Sequence, residues 1–301
     1  MKFTTTTTRR ILGGLVALAI TGGLTAGTAA ASQRTGATHR AAAASTPPVG
    51  GSPVLAVTAV DDSYQMPSMS PLKAGLVTIR LRNAGTQPHQ ATIVRFHDGV
   101  TFAQFATAFA HGGSGAAMAL VDFEGGVNTV DPGTTAVAYS KLTAGNYALL
   151  CFVQGPDGLP HAAKGMVMPF QVVGPAHSVR TPQTKGTVGL SSYKIHLPAG
   201  FGHGLYAVTN SADEPHELAI VKVAAGKTPN DVMNFLMETT PSGPPPFSGV
   251  GGVAALSPGL TSYGAADLKP GHYVALCFVP DDQAPHLPHF MMGMFQPFTV
   301  S

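Results

Sequence analysis

Short runs of alternating apolar and polar residues, broken by glycine and proline, dominate this chain. Leu76 to Arg82 (LVTIRLR) alternates, as does Val137 to Leu142, and a period of two predicts strands with one face turned to a core. Ala91 to Phe96 and Leu218 to Val223 predict two more. Tyr147, Leu149, Cys151 and Val153 share one face of a further strand, and that face is expected to be interior. Helical periodicity occurs twice. Thr101-x-x-Gln104 is a capping box, after which Phe102, Phe105 and Phe109 fall on one helical face. Thr228 followed by Pro229 opens the second helix, with Val232, Phe235 and Leu236 as its stripe. These aromatics are expected to make core contacts.

The pattern is written twice. Gly125-Gly126-Val127 returns as Gly251-Gly252-Val253, and Asp131-Pro132-Gly133 as Ser257-Pro258-Gly259. This predicts two tandem domains, residues 54–174 and 178–301, joined by a linker within Val173 to Lys185. The length of 301 residues suits two separate hydrophobic cores. With 36 glycines and 25 prolines, the chain has many turns and little room for long helices, so the fold class is all-β.

Residues 1–31 read as an export signal. Lys2, Arg9 and Arg10 form a positive head, Ile11 to Leu24 an apolar segment, and Ala29-x-Ala31 a cleavage site before Ser32. Thr8-Arg9-Arg10-Ile11-Leu12 resembles a loose twin-arginine signal, with Sec export the plainer reading and an uncleaved anchor the alternative. Residues 32–53, rich in Ala, Thr, Ser, Pro and Gly, read as a flexible linker. The mature protein is therefore expected outside the cytoplasm, secreted or in the cell envelope, without a membrane span. Charged residues are 11% of the chain, the net charge is +2, and no Lys/Arg run is present. That composition points away from nucleic acid and from a polybasic membrane patch.

The candidate chemistry lies in two stretches, Gly145 to Met166 (GNYALLCFVQGPDGLPHAAKGM) and Gly271 to Met294 (GHYVALCFVPDDQAPHLPHFMMGM). Each holds one of the two cysteines, then Leu-Pro-His, then Gly-Met. Upstream, His89 ends NAGTQPH and His216 ends NSADEPH. A thiolate, imidazoles and a thioether together suit copper, since soft sulfur ligands select it. The two cysteines occupy equivalent interior positions of separate repeats, which argues against a disulfide.

In these residues the chain resembles the cupredoxins, the blue-copper family of plastocyanin, over roughly residues 54–301. Asn83, Gly85, Pro88 and His89, and then Gly145, Tyr147, Cys151, His161, Gly165 and Met166, match the family pattern; Asn210, Pro215, His216, Gly271, Tyr273, Cys277, His289, Gly293 and Met294 match it again. The Cys-to-His spacing is longer than in plastocyanin-like loops and closer to the type 1 site of copper nitrite reductases.

The resemblance implies two tandem cupredoxin-like Greek-key β-sandwich domains, each with a short helix. It implies one mononuclear type 1 copper per domain, held by His89, Cys151, His161 and Met166 and by His216, Cys277, His289 and Met294. His286 is the alternative to His289. The implied function is single-electron transfer with a redox partner protein that the sequence does not identify, and no catalytic residue is implied. Two other readings stand beside it: a Cu(I)-handling protein using Met291, Met292, Met294, His286 and His289, and a metal-free scaffold. A copper oxidoreductase is the least favoured, because in such enzymes a histidine flanks the type 1 cysteine, whereas here the neighbours are Leu150, Phe152, Leu276 and Phe278. The remaining histidines show no ligand spacing. The tract Pro241 to Pro246 (PSGPPP) is expected to be a surface loop at the metal end of the second domain.

Overall fold

A computed structural model of the protein describes residues 51–301 apart from 69, 178–179, 239–241 and 285–286, and apart from the side chains of 112–114. The export signal, most of the first linker, Pro241 and the alternative ligand His286 lie outside the described residues.

The first half contains β1 (Val54–Val60), β2 (Ser63–Gln65), β3 (Leu72–Lys73), β4 (Gly75–Asn83), β5 (His89–Phe96), α1 (Phe102–Met118), β6 (Val121–Val130), β7 (Thr135–Leu142), β8 (Gly145–Leu150) and β9 (Val167–Val173). The second repeats the plan with β10 (Gly186–Ser191), β11 (Lys194–His196), β12 (His203–Asn210), β13 (His216–Val223), α2 (Pro229–Met237), β14 (Phe247–Leu256), β15 (Thr261–Asp267), β16 (Gly271–Leu276) and β17 (Phe295–Val300). Each half is a sandwich: β2-β1-β4-β7 packs on β6-β5-β8-β9-β3, and β11-β10-β12-β15 on β14-β13-β16-β17. This is the all-β, two-sandwich architecture that the resemblance implies.

Each sandwich has its own core. Ile79, Ile93, Tyr147 and Leu149 are buried in the first, and Val188, Leu190, Tyr273 and Val253 in the second. The Gly-x-Tyr motif is explained here. Tyr147 and Tyr273 lie wholly inside, and their hydroxyls donate to the carbonyls of Thr143 (2.8 Å) and Lys269 (2.7 Å), so each phenol buries its ring without losing its polar partner.

Alternation understates burial. Ala148 and Leu150, on the opposite face of β8 from Tyr147, are also fully buried, under α1. The predicted capping box of Thr101 with Gln104 is present, Thr228 caps the second helix with Pro229 in its first turn, and Asp231 completes a second box there that the sequence pattern did not single out. Phe105 is buried, but Phe102 is 38% exposed, a correction to its expected core position. It sits in the first turn, where its ring reaches only Phe96 at 6.3 Å.

The sequence pattern predicts separate domains, but the two sandwiches share both sheets. β7 pairs antiparallel with β15, and β6 with β14, giving one eight-stranded and one nine-stranded sheet. The same strands of each repeat face each other: Val127 opposes Val253, and Ala138 opposes Gly264. Those are equivalent repeat positions, so a local two-fold axis passes between them. The junction is also polar. Ser140 and Ser262 hydroxyls lie 3.0 Å apart, and Phe123 N donates to Ser257 Oγ at 2.8 Å.

Because β14 runs antiparallel to β13, Phe247 lies beside Val223, at the opposite end of β13 from His216. Residues 242–246, which lead into Phe247, therefore enter β14 at the end away from their own half's metal end, contrary to expectation. No helix among the described residues is long and apolar enough to cross a membrane.

Candidate metal centres

In each half a turn delivers the first histidine. Asn83 Nδ2 donates to the carbonyls of Gln87 (2.8 Å) and Val130 (2.9 Å), and its Oδ1 accepts from Gly85 N (2.9 Å). Asn210 does the same with Glu214, Leu256 and Ala212. The asparagine thus folds the turn onto itself and ties it to the neighbouring strand, so His89 and His216 enter β5 and β13 at fixed points. Gly85 must lack a side chain, since a Cβ there would lie 2.4 Å from Asp61 Oδ1 and 2.9 Å from His89 Nε2.

The long Cys-to-His loops close on themselves. Gln154 bridges Pro160, and Pro280 bridges Pro288. His161 N donates to Val153 O (2.9 Å) and Ala162 N to Cys151 O (2.8 Å); His289 N and Phe290 N repeat this with Val279 and Cys277 (both 2.9 Å). These bonds return the histidine beside its cysteine. A short 3₁₀ turn follows, His161–Lys164 or His289–Met292. It ends at Gly165 (φ +104°) and Gly293 (φ +124°), a backbone region that favours glycine. Met166 N and Met294 N then donate to His161 O (2.9 Å) and His289 O (3.0 Å), which carries both methionines into the interior, fully buried.

The structure accordingly gathers His89, Cys151 and His161 in one place and His216, Cys277 and His289 in another, with the donor atoms of each trio within 4.8 Å of one another. All six are buried, both thiols are free, and Met166 and Met294 belong to the same cores as their cysteines. Cys151 Sγ is 3.8 Å from His89 Nδ1 and 3.4 Å from His161 Nδ1. Cys277 Sγ is 3.5 Å from His289 Nδ1, which is 2.9 Å from His216 Nδ1. A first-row metal at ~2.0 Å from nitrogen and ~2.3 Å from sulfur in a trigonal plane sets N and S ~3.7 Å apart. Both sulfur–nitrogen distances of the first half and the Cys277–His289 distance of the second lie near that value, whereas the two imidazole nitrogens of the second half, 2.9 Å apart, stand closer than the ~3.5 Å the same plane sets between two nitrogens.

The outer nitrogens fix the ring orientations. His89 Nε2 is 3.1 Å from Asp61 Oδ1, His161 Nε2 3.1 Å from Gln87 Oε1, and His289 Nε2 3.2 Å from Glu214 Oε2. An acceptor at Nε2 keeps the proton there and leaves the Nδ1 lone pair facing the cluster. His216 Nε2 has no partner among the described residues. Thr86 is the chief cause of a very low Asp61 pKa: its hydroxyl (2.6 Å) and amide (2.8 Å) donate to a carboxylate that Gln87 N also reaches. Burial lowers His89 and His161, and lowers His216 to about 4, so these rings are neutral at neutral pH. Burial raises Cys151 to about 11 and Cys277 well above the ordinary thiol value.

The sequence pattern did not reveal the groups around the ligands. Asp61, Gln87, Glu214 and Glu217 support them, and Asp281 with Glu214 makes a second acidic grouping on His289. Gln-Pro-His and Glu-Pro-His, at the same place in each repeat, carried a signal for two of these.

Four of the other histidines make ordinary contacts: His97 with Asp122 (3.5 Å), His203 with Asp267 (3.7 Å), His196 with Ser191 (3.1 Å) and His272 with Thr299 (3.1 Å).

The two trios lie at opposite ends. His89 opposes Val130 and His216 opposes Leu256, which faces Glu124, six residues from Val130 along β6. With three strand spacings between β5 and β13, the histidines are roughly 25 Å apart, at ~3.3 Å per residue and ~4.8 Å per spacing.

No family model matches the chain, and no curated protein matches it. Among solved structures, the chain is similar to dithionite-reduced auracyanin from Roseiflexus castenholzii, at 17% identity over 42% of this chain and all of that one, with a TM-score of 0.30. It is similar to auracyanin A, a blue copper protein of Chloroflexus aurantiacus, at 20% identity over 41% of this chain and all of that one (TM-score 0.28). It is also similar to a blue copper oxidase from Nitrosomonas europaea, at 13% identity over 83% of this chain and 86% of that one (TM-score 0.23). Superpositions this loose carry no weight for function, and the cupredoxin-like class is defined by the strand order and the two donor sets themselves.

Proposed function

We propose that the protein binds two copper ions, one in each sandwich, and carries single electrons outside the cytoplasm. The observation that carries this reading is the paired His/Cys/His donor set with both imidazoles turned Nδ1-inward and a buried methionine beside it. Copper in such a set changes between Cu(I) and Cu(II) with little rearrangement, and so passes one electron at a time.

The chain's own groups provide the conditions. His89, Cys151 and His161, and His216, Cys277 and His289, would hold the copper ions, with Met166 and Met294 as the thioether donors beside them. Asp61, Gln87 and Glu214 hold ring orientation. The cores exclude water from the sulfur. Leu150, Phe152, Leu276 and Phe278 flank the cysteines, so neither thiolate is wired to an adjacent histidine, which supports an electron carrier over a copper oxidoreductase. The signal-like segment 1–31 supports export.

Copper titration with visible spectroscopy tests the reading. Wild type should bind two equivalents and show an intense thiolate-to-Cu(II) charge-transfer band. Cys151→Ser and Cys277→Ser should each retain one equivalent and their share of the band, and the double variant neither. Wild type without copper or colour, or a double variant that keeps both, would overturn it.

A further inference from the structure

The two centres are not electrostatic copies. At the position after the first histidine, the first half has Gln90 and the second has Glu217, both buried. Glu217 N donates to Cys277 Sγ at 3.4 Å, so the residue is part of the sulfur's surroundings. Its carboxylate accepts two N–H bonds, from Phe278 N to Oε1 (3.0 Å) and from Asn128 Nδ2 to Oε2 (3.0 Å). Both oxygens thus accept N–H donors, which favour the ionised carboxylate against the burial that raises its pKa to about 7. Asn128 comes from β6 of the other half, and it also donates to Val253 O (3.3 Å). Gln90 is neutral. Its amide donates to Thr92 Oγ1 (2.9 Å), and its Oε1 accepts from Thr129 Oγ1 (3.3 Å).

A second difference points the same way. The Tyr64 hydroxyl lies between the Gln90 carbonyl and the Cys151 thiol, where it favours the thiolate. Tyr64 pairs with Ala59 in the β1–β2 hairpin, and the matching register of β10–β11 places Ile195 there. The second sulfur has no such hydroxyl at that place. The remaining charges largely offset. Asp61 at His89 matches Glu214 at His289, Lys164 neutralises Asp62 at 3.1 Å, and Asp281 adds a further negative charge to the second site.

We propose that Glu217, held across the junction by Asn128, sets the reduction potential of the second copper site below that of the first. The inference rests on the copper reading above. A fixed negative charge beside the thiolate stabilises Cu(II) over Cu(I), and a hydroxyl at the other thiolate does the reverse. Electrons shared at equilibrium therefore reside on the first site.

Spectroelectrochemical titration at about pH 8 tests this on the full chain. Cys151→Ser reports the second site alone and Cys277→Ser the first. The first site should show the higher potential. Glu217→Gln, added to Cys151→Ser, should raise the second site's potential by about tenfold in the one-electron equilibrium, ~59 mV. Gln90→Glu, added to Cys277→Ser, should lower the first site's by a similar amount. A second site that stays blue but does not respond to Glu217→Gln, or that lies above the first in wild type, overturns this inference alone. Absence of a charge-transfer band in wild type overturns the copper reading and this inference with it. Glu217→Gln preserves shape, so a purely packing role for Glu217 predicts no shift.

Discussion

Val127 and Val253 occupy the same position in their repeats and oppose each other across β6 and β14. The junction is thus a local two-fold contact built from paired backbone rather than from a linker. Two continuous sheets leave little freedom for one sandwich to melt while the other stays folded. Metal-free protein should give one calorimetric transition, with van't Hoff and calorimetric enthalpies equal. Two resolved transitions would show that the halves unfold separately.

The repeated Gly-Gly-Val marks a bulge in each junction strand. A Cβ on Gly126 (φ +103°) would lie 2.1 Å from Ala91 O, and one on Gly252 (φ +117°) 2.0 Å from Leu218 O. Both acceptor residues belong to the strands that carry the first histidines. Gly126→Ala or Gly252→Ala should therefore cost at least about 2 kcal/mol, read as a lower urea midpoint with unchanged slope.

Asp61 and Gln87 aim the first site's rings without touching the metal. Asp61→Ala and Gln87→Ala should each weaken copper binding by about 10–100-fold, measured by competition with a chelator, while the second site's affinity is unchanged. Equal losses at both sites would indicate a folding defect instead.

Metal must displace a proton from each thiol. With Cys151 raised to about 11 by burial and the histidines neutral, the first site's affinity should climb about tenfold per pH unit between pH 7 and 9. Calorimetry in buffers of different ionisation enthalpy should count about one proton released per copper. A pH-independent affinity would mean the thiol is already ionised.

Glu124 supplies a pH-dependent stability contribution from outside both donor trios. Burial, with Asp122 nearby, raises its folded pKa from 4.5 to about 7. The protonated form is favoured in the fold, so this contribution is present below pH 4.5 and is lost as pH rises through 7. Glu124→Gln should remove that loss and stabilise the protein at pH 8 relative to pH 5 by about 1–2 kcal/mol, a figure reduced for its partial exposure. An unchanged difference between the two pH values would contradict it.

Much of each site was legible because its ligands are local in sequence. Cys151, His161 and Met166 lie within one loop, and Asn83 to His89 is one turn. The capping box at Thr101 and the N-cap at Thr228 were legible for the same reason. The supporting groups were not: Asp61 meets His89 from another hairpin, and Asn128 meets Glu217 from another repeat. The continuous sheets were hidden too, since alternation along β6 or β7 does not say whether a strand is an edge or has a neighbour on both sides. The helical stripe misplaced Phe102 because periodicity gives a face but not how deeply its first turn is covered.

The reversal of one half against the other also determines how the molecule can be met. With the centres roughly 25 Å apart at opposite ends, no single docking face serves both. Under the proposed electron-carrier reading, silencing either centre should leave the other's reaction rate with a bulky soluble oxidant unchanged.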